Sequence, residues 1–119
     1  FSNNSNVEIY EKGLIKRDFV HVNDVVDSIY LSIKNNFGYN IYNIGSGKPV
    51  DLIEVAQKLK FNYNSKSKIK IVDKYRNGDV LGSFSDNKKA SKLLKYKPKV
   101  KLDIGLEEYC AWFKSEYRV

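Results

Sequence analysis

Two arginines stand where their side chains are able to bind an anion. Arg17 directly precedes Asp18, and Arg76 opens the segment Arg76–Asp79, whose Asn-Gly dipeptide predicts a tight turn. A guanidinium presents a planar fork that binds phosphate or carboxylate through two parallel hydrogen bonds, whereas lysine acts as a point charge. The chain has 18 Lys but only three Arg, and the third, Arg118, lies next to the C-terminus.

These positions admit two interpretations, which the residues alone leave open. In the first, Arg17 and Arg76 form surface ion pairs with nearby acids, each worth under about 1 kcal/mol. In the second, the two guanidinium groups converge on a diphosphate, and Asp79 accepts a hydrogen bond from a ribose hydroxyl. A chain that otherwise uses lysine favours the second interpretation, because arginine is needed where two parallel bonds are made.

Three further patterns are better explained by structure than by chemistry. The segment Gly45–Lys48 lacks the remaining residues of a phosphate-binding loop, so we predict a turn between a strand and a helix. Tyr30 and Lys34 have the Tyr-x-x-x-Lys spacing, but Tyr30 also continues an apolar helical stripe and is predicted to lie in the core. His21, the only imidazole, is predicted to be a hydrogen-bonded structural residue. The sequence therefore offers no catalytic residue.

Composition limits the class of protein. The chain has 119 residues, 42% of them hydrophobic, with a mean hydropathy of −0.49, and predicts one domain without a membrane span. One Cys and one His predict no structural metal site, and Cys110, predicted to be buried, fits a reducing, cytoplasmic setting. A net charge of +7 raises the possibility of nucleic-acid binding. A solvated lysine surface is the preferred reading, because Lys88–Lys101 holds seven Lys and almost no aromatic residue.

Hydrophobic periodicity predicts short strands alternating with helices, which indicates an α/β or α+β fold. The first residue is Phe, so we expect a trimmed start or a piece of a longer protein. The predicted strands are Val7–Tyr10, Asp18–Val22, Ile41–Ile44 and Ile69–Val72. The predicted helices are Asp24–Asn35, stopped by Asn35–Gly38, one capped by Asp51 and running through Leu59, Asn87–Leu94 capped by Asp86, and one that begins at Asp103.

Five segments, in order, resemble the NAD-dependent epimerase/dehydratase family, the extended short-chain dehydrogenase/reductases that act on sugar nucleotides. Asn77 replaces the usual Pro of the third segment. The segments are Lys16–Val26, which resembles the family's "RDF-V-DVV"; Tyr42–Gly47, which resembles "YNIGSG"; Arg76–Val80, which resembles "RPGDV"; Ser85–Pro98, which resembles "AD-KA-LGY-P"; and Gly105–Phe113, which resembles the closing helix.

The resemblance implies a fold and a set of site residues. The fold would be α/β, the C-terminal substrate-binding portion of an extended short-chain dehydrogenase/reductase (Rossmann-like) fold. Residues 1–119 would form a single C-terminal substrate-binding region, a fragment that lacks the N-terminal NAD-binding Rossmann part. Arg17 and Arg76 would contact the substrate diphosphate, and Asp79 would bond the nucleotide ribose. Asp24 and Asn43 would hold turns.

The function that the resemblance implies is nucleotide-sugar binding within an NAD-dependent sugar-nucleotide epimerase. NAD(P) would be bound mainly by the missing N-terminal part, so this chain alone would hold no cofactor and have no activity. The parent would be a homodimer of carbohydrate metabolism, such as polysaccharide biosynthesis, and an isolated fragment would expose an apolar face that favours self-association. The alternatives are part of a sugar-nucleotide dehydratase or reductase, and a non-catalytic nucleotide-sugar-binding or interaction module.

Overall fold

A computed structural model of the chain describes residues 1–35 and 38–117; the residues outside this part are Asn36, Phe37, Arg118 and Val119. The described residues form short strands that alternate with helices. The strands are β1 (Val7–Ile9), β2 (Lys16–Asp18), β3 (Pro49–Asp51), β4 (Ile69–Ile71) and β5 (Gly82–Ser83). The helices are α1 (Val22–Asn35), α2 (Leu52–Asn62), α3 (Lys88–Leu94) and α4 (Leu102–Tyr117).

The strands build two small sheets. In the first, β1 runs parallel to β4, with Val7 opposite Ile69. In the second, β2 lies between β3 and β5, antiparallel to β3 and parallel to β5. Arg17 stands opposite Val50 on one side and Ser83 on the other. A central strand is fixed by hydrogen bonds on both sides, so the backbone that carries Arg17 is held firmly.

The core lies where α1 packs on α3. Its buried centre is Ala90, Leu94 and Tyr96. Lys95 adopts a left-handed conformation (φ 61°) that ends α3 and turns Tyr96 inward. The Tyr96 hydroxyl donates to the Gly45 carbonyl at 2.9 Å, which satisfies a buried polar group. The partly buried side chains packed against this centre are Leu31, Tyr42 and Ile44.

The start of α1 differs from the prediction. The helix begins at Val22, two residues before Asp24. His21 caps it, because the His21 Nδ1 accepts the Asn23 N–H at 3.2 Å. The Asp24 carboxylate does not cap the helix. It accepts the backbone N–H groups of Lys99 (2.9 Å) and Val100 (3.1 Å) instead. Asp24 therefore ties α1 to the segment that leads into α4.

Two predicted strands are wrong in whole or in part. Ile41–Ile44 has no strand structure, because Tyr42 and Ile44 pack their side chains on α3 while the described residues offer this segment no strand partner. Only the first residue of the predicted strand Asp18–Val22 belongs to β2, because Val22 already lies in α1. The strands predicted around Val7 and Ile69 are confirmed as β1 and β4.

The ends of the other helices largely follow the sequence. Asp51 precedes α2 as predicted, but its side chain makes no capping bond and pairs instead with Lys16 at 3.4 Å across β2 and β3. Asp86 precedes α3, and its Oδ1 accepts the Lys88 N–H at 3.0 Å. The end predicted for α1 falls partly on residues 36 and 37, outside the described part.

Two helices leave apolar side chains uncovered. Cys110 is buried on α4 as predicted, but Tyr109 on the same stripe is 48% exposed. Tyr30 is 63% exposed, so the prediction that it lies in the core is wrong. No helix among the described residues is long and apolar enough to cross a membrane. On α1, five large apolar side chains are exposed to solvent, and the surface that they form is called the exposed α1 face below. They are Val22, Val26, Ile29, Tyr30 and Ile33.

Candidate functional site

The three predicted site residues line one cleft. Arg17, Arg76 and Asp79 border a cavity of about 270 Å³ whose other walls include Tyr10 and Leu52. Arg17 comes from β2, Tyr10 follows β1, and Arg76 and Asp79 come from the segment after β4. The parallel pairing of β1 with β4 brings these distant parts of the chain together. The cleft therefore combines two cations, two carboxylates (Asp79 and Glu8) and one aromatic ring.

The guanidinium of Arg17 is largely occupied within the protein. Its Nη1 donates to the Val80 carbonyl at 2.7 Å and to the Lys16 carbonyl at 2.9 Å. Its Nη2 makes one longer contact, to Asp79 Oδ1 at 3.4 Å. Arg17 thus fastens the strand β2 to the residues that follow the Arg76–Asp79 turn, and its Nη2 keeps capacity for a further acceptor.

The guanidinium of Arg76 is free of such ties. It lies over the Tyr10 ring, with Cζ 5.1 Å from the ring centroid. Within residues 1–35 and 38–117, no acidic oxygen lies within 4.0 Å of it in an ion pair. Its backbone N–H is held instead, donating to Glu11 Oε1 at 2.8 Å. The fork of Arg76 is therefore positioned by its backbone and stacked on a ring, with its donors available to a ligand.

A tight turn sets Asp79 beside Arg76, as predicted. The Asp79 N–H donates to the Arg76 carbonyl at 3.1 Å, and Gly78 has φ +86°, a conformation that glycine adopts without steric cost. Asn77 therefore does not prevent the turn. The Asp79 carboxylate is held on one side by Arg17 at 3.4 Å, which leaves acceptor capacity toward the cleft.

Asp18 does not pair with Arg17 but joins three chain segments. Its carboxylate accepts backbone N–H groups from Ser46 (2.7 Å), Gly47 (2.9 Å) and Ser85 (3.0 Å). Burial raises the pKa of Asp18, but the hydrogen bonds from Ser46, Ser85 and Gly47 outweigh burial and hold the pKa below its ordinary value. Asp18 is therefore an ionised anchor for the loops on either side of β2.

The Gly45–Lys48 loop does not fit the phosphates of a dinucleotide cofactor. The backbone N–H groups of Ser46 and Gly47, which would have to face the phosphates, already bind the Asp18 carboxylate. A Cβ at Gly45 would lie 2.5 Å from Asp18 Oδ2, so glycine is needed here for close packing. The segment bends the chain, but it follows residues without strand structure and leads into β3, so the prediction of a turn between a strand and a helix is only partly right.

His21 has the structural role that the sequence predicts. Its Nε2 lies 3.1 Å from Glu108 Oε2, and its Nδ1 caps α1. The His21–Glu108 pair borders a second, more apolar cavity of about 640 Å³ between the start of α1 and α4, away from the two arginines. No group of three His, Cys, Asp or Glu side chains suited to a metal ion occurs in the described part of the chain.

Two residues at the cleft escaped the sequence reasoning. Tyr10 forms a wall beneath Arg76, and Glu11 binds the Arg76 backbone. The available signal was an aromatic residue at the end of a strand, followed directly by Glu11–Gly13, a segment that reads as a turn. That pattern alone does not reveal a contact with Arg76, which is 65 residues from Glu11 in the chain.

Comparisons with known proteins find relatives of one kind. Residues 1–45 match the family model Epimerase, described as the NAD dependent epimerase/dehydratase family. The uncharacterized protein MJ1055 of Methanocaldococcus jannaschii is 42% identical over 90% of this chain and 32% of its own length. The UDP-glucuronate 4-epimerase of Thermodesulfobacterium geofontis is 29% identical over 92% of this chain and 33% of its own length.

A solved structure agrees with these relatives. The crystal structure of the UDP-glucose 4-epimerase of Thermotoga maritima with UDP-glucose matches 98% of this chain and 37% of its own, with a TM-score of 0.87 and 30% identity. The chain thus spans about a third of the length of the relatives it matches. The match confirms the predicted fold class, α/β of the extended short-chain dehydrogenase/reductase kind; that the chain is the C-terminal substrate-binding portion stays a prediction.

Proposed function

Because the chain belongs to the NAD-dependent epimerase/dehydratase family, we propose that it is the nucleotide-sugar-binding part of an NAD-dependent sugar-nucleotide epimerase. Its task is to grip the diphosphate and the ribose of the substrate. The observation that carries this proposal is the shared cleft, in which Arg17, Arg76 and Asp79 meet although Arg17 and Asp79 are 62 residues apart in the chain.

The two arginines take unequal parts in the grip. Arg76 is the main phosphate ligand, because its guanidinium has no acidic partner in the described part of the chain and can offer two parallel N–H donors. Arg17 adds positive charge and the single donor Nη2, while its Nη1 keeps the cleft wall in place through Val80. Both charges lie in one small cleft, where their fields on a diphosphate add.

The Asp79 carboxylate and the Tyr10 ring determine the orientation in which the nucleotide binds in the cleft. Asp79 accepts a hydrogen bond from a ribose hydroxyl, which fixes the end of the diphosphate that is opposite the sugar. Tyr10 offers an apolar surface at the same wall, where Arg76 stacks on it. Holding both ends of the nucleotide fixes the sugar relative to the catalytic groups, and such positioning is worth several kcal/mol of a reaction barrier.

The chemistry itself belongs to a part outside this chain. We place the NAD-binding Rossmann part of the parent there, since the Gly45–Lys48 loop does not fit the cofactor. Residues 1–119 then form a single C-terminal substrate-binding region that is inactive alone. A sugar-nucleotide dehydratase or reductase remains the alternative, because residues outside this chain would choose the reaction. We further propose a cytoplasmic, homodimeric parent in carbohydrate metabolism.

Calorimetric titration of UDP into the purified chain tests the proposal. We expect weak binding by the wild type, binding roughly tenfold weaker in Arg76→Ala, and an intermediate affinity in Arg76→Lys, which keeps the charge but loses the fork. Lys88→Ala is the matched control, because it removes one positive charge from a side chain that is 92% exposed and lies outside the cleft lining. Equal affinity in the wild type and Arg76→Ala would remove Arg76 from the site.

A further inference from the structure

Two consecutive residues with side chains occupy the left-handed region at the edge of the cleft. Glu11 has φ 55° and Lys12 has φ 52°, and Gly13 follows with φ 75°. A Cβ is unfavourable in this region, so glycine would be the ordinary choice at either position. Residues held in such conformations need support from their surroundings and cluster near functional sites.

The two residues differ in what their side chains do. The Lys12 side chain is more than half exposed; it pairs with the exposed Asp73 carboxylate at 3.3 Å and also interacts with the Tyr75 hydroxyl. Glu11 is 4% exposed, and its Oε1 accepts the backbone N–H of Arg76 at 2.8 Å. A buried carboxylate is retained at a cost unless its hydrogen bonds compensate for lost water. Glu11 therefore has both an unfavourable backbone conformation and an unfavourably buried carboxylate. The contact that this carboxylate makes is the hydrogen bond to the Arg76 backbone.

The contact acts on the residue that carries the free guanidinium. Glu11 directly follows Tyr10, whose ring underlies the Arg76 guanidinium, so the Tyr10–Glu11 dipeptide holds Arg76 at both ends. The backbone also joins the two segments, because the Glu11 N–H donates to the Lys74 carbonyl at 2.9 Å. This second bond needs no side chain and would persist in a variant at position 11.

We propose that Glu11 is a positioning residue, whose buried carboxylate fixes the Arg76 backbone so that the guanidinium faces the cleft. This inference rests on the proposed function of Arg76. Long-range electrostatics would oppose it, because a carboxylate close to a diphosphate repels the ligand. Removing the charge of Glu11 should therefore strengthen nucleotide binding if charge alone mattered. The positioning role instead predicts that affinity falls when the acceptor oxygen is lost and is kept when only the charge is lost.

Three variants separate the backbone from the carboxylate. Glu11→Gly relieves the left-handed conformation and removes the acceptor. Glu11→Gln keeps an acceptor oxygen of the same length and removes only the charge. Lys12→Gly is the matched control, since it relieves the neighbouring left-handed residue (φ 52°) and removes the Lys12 contacts with Asp73 and Tyr75, while the Glu11 hydrogen bond to Arg76 stays in place. Each variant is measured for UDP affinity by calorimetry and for hydrogen exchange of the Arg76 amide by NMR.

We expect UDP affinity to fall roughly tenfold in Glu11→Gly, the effect of losing one hydrogen bond that fixes a charged ligand group. Glu11→Gln should keep most of the affinity, and Lys12→Gly should equal the wild type. The Arg76 amide should exchange faster in Glu11→Gly alone. Affinity and amide protection in Glu11→Gly equal to those of the wild type would overturn the inference while leaving the proposed function standing. Lack of UDP binding by the wild type would overturn the proposed function and this inference with it.

Discussion

At the scale of single residues, the guanidinium groups of the two arginines in the cleft have different roles. Arg17 gives its Nη1 to two backbone carbonyls and so acts mainly inside the protein. Among the described residues, the Arg76 guanidinium contacts the face of Tyr10, and the Arg76 backbone N–H donates to Glu11. Stability and ligand binding should therefore respond differently to the two side chains.

Arg17→Ala should lower the free energy of unfolding by about 1–2 kcal/mol, because it removes the side-chain donor to the Val80 carbonyl and one of the donors to the Lys16 carbonyl. Arg76→Ala should lower it by no more than about 0.5–1 kcal/mol, the worth of a cation–π contact near the surface. Urea unfolding of both variants measures the difference. An equal loss would show that Arg76 is as much a structural residue as Arg17.

Asp18 predicts a specific pH dependence. Its pKa lies below the ordinary value of 3.8, because hydrogen bonds from Ser46, Ser85 and Gly47 outweigh the effect of burial. A carboxyl group with a lowered pKa stabilises the fold above its ordinary pKa, and this contribution is lost as the pH falls through the folded-state value. Asp18→Asn should therefore be less stable than the wild type at pH 7, and the gap should narrow below about pH 4.

Unfolding of the wild type and Asp18→Asn at a series of pH values measures that gap. Asp51→Asn is the control, because the Asp51 side chain makes only an exposed ion pair with Lys16. A gap that stays constant from pH 7 to below pH 4 would mean that Asp18 is not the ionised anchor of the loops.

The residues of the candidate site could be predicted from the sequence, but the contacts that each of them makes could not. Arg17, Arg76 and Asp79 stand out in the sequence through residue type and through a local turn dipeptide. The partners of Arg17 are backbone carbonyls, which every residue has, so no pattern announces them. Asp18 appeared as the partner of Arg17 only because the two are adjacent in the chain.

At the scale of elements, some parts of the fold follow from local sequence patterns and others are determined by tertiary contacts. The strands around Val7 and Ile69 and the turn at Arg76–Asp79 follow from short-range residue preferences and were predicted. The start of α1 was misplaced because the carboxylate of Asp24, a good helix cap, is used across the fold instead. The segment Ile41–Ile44 has a strand's sequence but no partner in the described residues.

Asp24 is the element-scale test. It is 2% exposed and receives the N–H groups of Lys99 and Val100, so Asp24→Ala should lower the free energy of unfolding by about 2–3 kcal/mol. Asp27→Asn is the control: it lies on the same helix but makes an exposed ion pair with Lys99, which should contribute under about 1 kcal/mol. Equal losses in urea unfolding would refute the proposed tie between α1 and the approach to α4.

At the scale of the whole molecule, the chain shows surfaces that suit a larger assembly. It spans about a third of the length of its relatives, and the exposed α1 face presents Val26, Ile29 and Ile33 to solvent. Uncovered apolar area of this kind favours association. No local sequence signal distinguishes such a face from a core face.

We predict that the isolated chain self-associates through the exposed α1 face. Val26→Glu with Ile33→Glu should shift sedimentation toward the monomer, because a carboxylate on each residue opposes burial of the face. Leu14→Glu, at an exposed apolar residue outside α1, should leave association unchanged. Association that persists in the double variant, or that Leu14→Glu also abolishes, would assign it to another surface.

The most direct test of the central claim is where UDP binds on the chain. In ¹⁵N-labelled protein titrated with UDP, the amide signals of Tyr10, Arg76 and Asp79 should shift together and saturate at one affinity. The Lys88–Lys101 stretch, the densest basic segment, should stay unchanged. Shifts concentrated in Lys88–Lys101, with Tyr10, Arg76 and Asp79 unmoved, would contradict the account.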